Sequence, residues 1–260
     1  MKRTGSIKLF PAIAFGLTAT LGGLCLPSYA DNINTDNVRQ GLPGRRISGG
    51  VRMEPPADSC FSDFNQSLVS IMPRSNLGTT LASHPTFWFS VPETVGDKAV
   101  EFQLLNEADD LLYSTQVNVG DESGLREFQL PASAPALAID ENYKWIFSFA
   151  CNNGSRSPVL GLQGWVRRVE ASAAVNDELM LATPEERVVL YSSAGIWQEQ
   201  VSALLNLRRQ GLADADLQLA WTDLLASTGL TSEISDNVLG QMSPVTPTVD
   251  ATALSTRSDF

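Results

Sequence analysis

The chain has 260 residues, with 18 Lys and Arg against 29 Asp and Glu, a formal net charge of −11 and a sequence pI near 4.5. A polyanion of this kind is repelled by nucleic acid and by anionic lipid, which sets aside DNA, RNA and peripheral membrane binding. One histidine, three cysteines, no Cys-x-x-Cys and no Asp-x-Asp-x-Asp-Gly loop give no expectation of a metal site or cofactor.

In chain order, Lys2, Arg3 and Lys8 form a basic head, Leu9 to Leu26 is apolar and uncharged, and Ser28-Tyr29-Ala30 places small residues where a signal peptidase cuts. The expectation is a signal peptide over residues 1–30, cleaved after Ala30, with no stable membrane insertion afterwards. A membrane anchor is the alternative, but Pro11, Gly16, Gly22 and Gly23 interrupt a run barely long enough to span a bilayer. Leu24 before Cys25 is wrong for a lipoprotein signal. Cleavage removes Cys25 and leaves Cys60 and Cys151, which in an oxidising compartment read as a disulfide. It would close a loop of about 90 residues, worth on the order of 4 kcal/mol in the chain-entropy picture. Two separate buried thiols are the alternative.

Residues 31–58 lack apolar periodicity. Gly41-Leu42-Pro43-Gly44-Arg45-Arg46 invites a phosphate-loop reading, but no Gly-Lys-Ser/Thr follows. A flexible Gly/Pro/Arg arm is expected, and Arg45 and Arg46 are candidates for docking an acidic partner.

Residues 59–170 carry strand signals at short intervals: 67–72, 86–91 between Pro85 and Pro92, 99–105, 111–119, 125–130, 143–151 and 162–169. The run Tyr143–Cys151 is central. At period two it sets Tyr143, Trp145, Phe147, Phe149 and Cys151 on one face, an inward sheet face. Seven short strands separated by turn-like stretches predict an all-β, two-sheet sandwich. Leu137 followed six residues later by Tyr143 looks like the tyrosine corner of immunoglobulin-like and fibronectin-type sandwiches. Cys60 precedes the first strand, so the bond would staple the lead segment to the sandwich.

Residues 171–230 turn helical, making the whole α+β. Thr183-Pro184-Glu185-Glu186 is a helix start with Thr as cap. A second helix is expected from about Ile196 to Arg209, stopped by Gly211, and a third from Asp214 or Asp216 to Gly229. Leu190–Ile196 recurs as Leu224–Leu230, an offset of 34 residues that is also the tetratricopeptide period. So short a repeat array cannot bury a core alone, and a helical hairpin leaning on the sandwich is expected. Residues 231–260 read as a disordered tail.

No catalytic set is legible. His84 lies in a loop before Pro85 with no assigned partner, no Gly-x-Ser-x-Gly elbow occurs, and Lys144 points away from the aromatic face. Trp88 and Trp165 alternate with Thr86, Ser90, Gln163 and Arg167, on the more polar faces of their strands. They are either stacking platforms for sugar rings or ground covered by the helices that carry Trp197 and Trp221; cover is the favoured reading.

Gly41–Arg46, Pro85–Phe89, Tyr143–Trp145, Gly164–Val166 and Leu190–Trp197 together resemble a cyanobacterial family known only as domain-of-unknown-function family 928, over about Gly41 to Leu230. The resemblance implies an exported protein of the periplasm or cell surface, with the thylakoid lumen a further option, and implies no reaction or active site. The expectation is a non-enzymatic envelope protein that contacts a partner protein, with Trp88, Trp165, Arg45, Arg46 and Trp197 as candidate contact residues. A carbohydrate-binding module acting on polysaccharide through surface Trp, and a hydrolase with an unrecognised site around His84, are the alternatives.

Overall fold

The computed structural model describes residues 68–93, 98–151, 159–212, 215–230 and 242–247, and of Lys98, Ala99, Cys151, Val159 and Thr246 the backbone alone. The signal peptide with Ala30, the arm with Arg45 and Arg46, Cys60 and most of residues 231–260 lie outside them.

The alternation that marks Tyr143–Cys151 as a strand places β7 (Asn142–Cys151) in the middle of a sheet. Trp145, Phe147 and Phe149 are fully buried, while Lys144, Ile146, Ser148 and Ala150 on the other face are partly exposed. β7 pairs antiparallel with β4 (Lys98–Leu105) on one side and β8 (Val159–Arg168) on the other. Beyond β4 comes β5 (Leu111–Asn118), then the short β10 (Thr246–Pro247); beyond β8 comes β2 (Leu77–Thr80), which runs parallel to it. The smaller sheet has the order β1 (Val69–Ser70), β3 (Thr86–Val91), β6 (Gly124–Gln129) and β9 (Met242–Pro244).

The two sheets close on a core of rings. Phe89 stacks on Phe147 with centroids 4.0 Å apart and planes 6° from parallel, and Phe87 reaches Phe102 at 5.3 Å and Trp145 at 5.9 Å. Each such pair adds about 0.5–1.5 kcal/mol to the burial of its rings. At the edge of this core the Tyr143 hydroxyl accepts the Ala138 N–H at 3.0 Å, tying the approach to β7 back onto the strand.

Four helices follow: α1 (Ala173–Leu181), α2 (Pro184–Ser193), α3 (Trp197–Arg209) and α4 (Ala215–Thr228). At the start of α2 the Glu186 N–H donates to Thr183 Oγ1 at 3.2 Å and the Thr183 N–H donates to Glu186 Oε2 at 2.8 Å, the reciprocal pair that Thr-Pro-Glu-Glu predicts. Gly195, Gly211 and Gly229, at φ 68°, 76° and 83°, end α2, α3 and α4. After α2 the Ile196 N–H donates to Tyr191 O and the Gly195 N–H to Ser192 O; after α4 the Leu230 N–H donates to Leu225 O. The 34-residue repeat is therefore one helix ending used twice, a left-handed glycine followed by a buried aliphatic residue, Ile196 or Leu230.

The helices lie on the outer face of the smaller sheet. Val69, Ile71, Trp88 and Leu125 of that sheet form a second core with Val201, Leu204, Leu205, Trp221 and Leu224 of α3 and α4. The architecture is α+β, with three layers: six-stranded sheet, four-stranded sheet, helices.

Four features depart from the expectations. β2 is an added strand, whose Leu-Gly-Thr-Thr has no alternation of its own and is held by pairing with residues far along the chain. α1 is an added helix; Ser172 caps it and none of its residues is buried, so it has no apolar stripe for periodicity to detect. Residues 242–247 are not a disordered tail: they add β9 and β10 to the two sheets, the Val245 N–H donates to Glu127 O at 2.7 Å, and Val245 is buried. Pro244 and Pro247 sit in edge strands, where a missing N–H costs no ladder bond. The strand expected over 67–72 is shorter, Val69–Ser70.

Candidate functional site

Trp88, on β3, turns away from the ring core and is 2% exposed beneath α3. Its Nε1–H donates to Ser202 Oγ at 2.9 Å, and the Arg209 guanidinium lies 5.5 Å from its ring centroid. Arg209 also pairs with Glu127 at 2.8 Å, and Glu127 is the cross-strand neighbour of Trp88 on β6. Covered this way, Trp88 is a layer contact and offers no platform to a sugar. Trp197 plays the same part at the start of α3: its Nε1–H donates to Ile71 O at 3.1 Å and its backbone N–H to Thr79 Oγ1 at 3.2 Å. Thr79 Oγ1 in turn donates to Gly195 O.

Glu199, one turn into α3, was not singled out from sequence, where it is one of many surface-like acids. Its Oε1 accepts from Thr80 Oγ1 at 2.7 Å, from the Leu81 N–H at 3.0 Å and from the Ala82 N–H at 3.2 Å. Its Oε2 is buried with no hydrogen-bond partner among the described residues. Burial pushes its carboxyl above the ordinary range, and hydrogen bonds from Thr80, its own backbone N–H, Leu81 and Ala82 oppose that rise only in part. The Tyr191 hydroxyl is also pushed up, first by burial and then by the Glu199 charge, against a smaller opposing effect of Arg187. Glu199 thus latches the helical layer to the loop after β2. Arg126, on β6, is a second buried charge; its guanidinium donates to the carbonyls of Val119, Glu122 and Leu125 and fixes the β5–β6 connection.

His84 is held at both ring nitrogens. Nε2 lies 3.1 Å from Ala134 O, which can only accept, so Nε2 carries a proton, and Nδ1 lies 3.1 Å from Ser83 Oγ. The ring pins the 131–137 segment to the turn before β3.

Two surfaces remain open. On α1 and α2, Met180, Leu181 and Val189 are 73%, 89% and 66% exposed. On the six-stranded sheet, Trp165 stands on the outer face of β8, partly exposed, beside Lys144 on β7 and Leu77 on β2. Of the sequence-derived candidates, the fold therefore brings Trp88 and Trp197 together under the helices and sets Trp165 apart from them. Among the described residues, no group of three His, Cys, Asp or Glu is placed to hold a metal ion, and no helix is long and apolar enough to cross a membrane.

This geometry defines a class: a two-sheet α+β protein with a helical layer on the smaller sheet, in which Trp88, Trp197 and Glu199 bond across the layers. Residues 47–239 match the family model described as Domain of Unknown Function (DUF928), and the chain belongs to that family. No curated protein and no solved structure gives a significant match to it.

Proposed function

We propose that this protein is an exported, non-catalytic component of the cell envelope that binds a partner protein through its helical layer. The observation that carries the reading is the exposed apolar surface of α1 and α2, where Met180, Leu181 and Val189 stand in solvent although a core is available one helix away. The charged head, apolar run and Ser-Tyr-Ala of the N-terminus support export to the periplasm, the cell surface or the thylakoid lumen. Export in turn supports a Cys60–Cys151 disulfide, and Arg45 and Arg46 are basic docking residues on an otherwise acidic chain. In finer terms, the sheets form an immunoglobulin-like sandwich, for which the Tyr143–Ala138 hydrogen bond speaks, and α2–α3 is a tetratricopeptide-like hairpin.

Cross-linking in intact cells tests the reading. Wild type should yield a defined adduct that the Met180→Asp/Leu181→Asp/Val189→Asp variant loses, while both fold alike by circular dichroism. An adduct that survives the triple substitution contradicts it. Intact mass of the mature protein under non-reducing conditions should start at Asp31 and lie about 2 Da below the dithiol value; free thiols would remove the disulfide.

A further inference from the structure

We infer that the outer face of the six-stranded sheet is a binding face for a neutral glycan chain, with Trp165 as its stacking platform. This goes beyond the helical-surface reading and rests on a different layer of the molecule.

Strand register fixes what the face presents, because cross-strand partners point to the same side. One row across the sheet is Ser114, Gln103, Ile146 and Gln163, read from β5 to β8. The next is Gln116, Glu101, Ser148 and Gly161. On the other side of the first row, toward β2, come Leu105, Lys144, Trp165 and Leu77. Apart from the buried Leu105 and Leu77, all of these residues are exposed or partly exposed. The helical core is built on the opposite sheet, on Val69, Ile71, Trp88 and Leu125.

The chemistry of these rows fits a sugar better than a protein. The centre of a protein interface is apolar, whereas here Ile146 is the sole large aliphatic residue in two rows of amides and hydroxyls. Glutamine amides offer a donor and an acceptor side by side, the pairing that neighbouring sugar hydroxyls require. The part of the Trp165 indole that reaches solvent supplies an apolar surface for the C–H side of a ring. Gly161, four residues before Trp165 on the same side of β8, keeps the face low: a Cβ there would stand 3.2 Å from Ser148 Cβ.

Charge selects the kind of glycan. The two cations beside Trp165 are matched, Lys144 by Asp109 and Arg167 by Asp140 at 3.2 Å, and Ser114 Oγ donates to Glu101 Oε1. With a chain net charge of −11, no described residue of the face recruits an acidic polymer. The ligand class is a neutral polysaccharide.

Calorimetric titration of the full mature protein with cellohexaose, xylohexaose, maltohexaose and chitohexaose, and with polygalacturonate as the acidic comparison, tests this. At least one neutral hexaose should bind; Trp165→Ala should weaken it tenfold or more, Trp165→Tyr should restore most of the loss, and Gln103→Ala should weaken it several-fold. The Met180→Asp/Leu181→Asp/Val189→Asp variant should bind as wild type, which separates this face from the helical one. No binding of any neutral hexaose at millimolar concentration, tighter binding of polygalacturonate, or equal affinity in wild type and Trp165→Ala overturns the inference. If Trp165→Ala fails to fold, Gln103→Ala and Gln163→Ala decide: unchanged affinity in both overturns it.

Discussion

Glu199 shows how one side chain couples two layers and what that coupling does with pH. Its folded pKa is raised, so the native state holds a proton that the unfolded chain releases at lower pH. The stability that goes with this proton is fully present below the ordinary glutamate value and is lost as pH rises through the raised one. Glu199→Gln removes the titration and keeps an oxygen for the Thr80, Leu81 and Ala82 donors. The melting temperature of Glu199→Gln relative to wild type should therefore climb as pH is raised from 5 to 8. A difference that is flat, or that falls, would show that Glu199 titrates as an exposed acid. None of this is legible in sequence, where Trp-Gln-Glu-Gln reads as an ordinary polar helix start; only the loop after β2, brought over from 118 residues away, makes Glu199 special.

At the scale of elements, the readable features are those whose cause is local. β3 spans the residues between Pro85 and Pro92 that sequence reasoning assigns, β7 follows its period-two run, and α2 begins at its capping Thr183. The missed elements owe their form to something distant. β2 exists because β8 offers it an edge, β9 because β6 does, and α1 has no buried face to announce it. The 34-residue repeat was legible as a pattern, and its meaning lies in backbone conformation. Gly195 has a φ of 68° and open space where a Cβ would go, so Gly195→Ala meets no clash and pays only for the left-handed conformation. Urea unfolding should show a loss of about 1–2 kcal/mol for Gly195→Ala and next to none for Ser193→Ala. Equal, negligible losses would mean that the repeat does not encode the end of α2.

For the whole molecule, the decisive division is which sheet the helices cover. That Trp88 and Trp165 lie on the more polar faces of their strands was legible; which of them meets a helix was not, because both sit in equally polar company along their own strands. The answer comes from the second core, which joins α3 and α4 to the smaller sheet, while α3 meets the larger sheet at its edge strand β2, through Thr79 and Thr80. Both proposed binding surfaces depend on that layering, since it sets the apolar side of α1 and α2 and the Trp165 face on different layers. Hydroxyl-radical footprinting of the folded protein, read at each tryptophan by mass spectrometry, tests it most directly. The account predicts rapid oxidation of Trp165 and strong protection of Trp88, Trp145 and Trp221; oxidation of Trp88 at a rate matching that of Trp165 would contradict it.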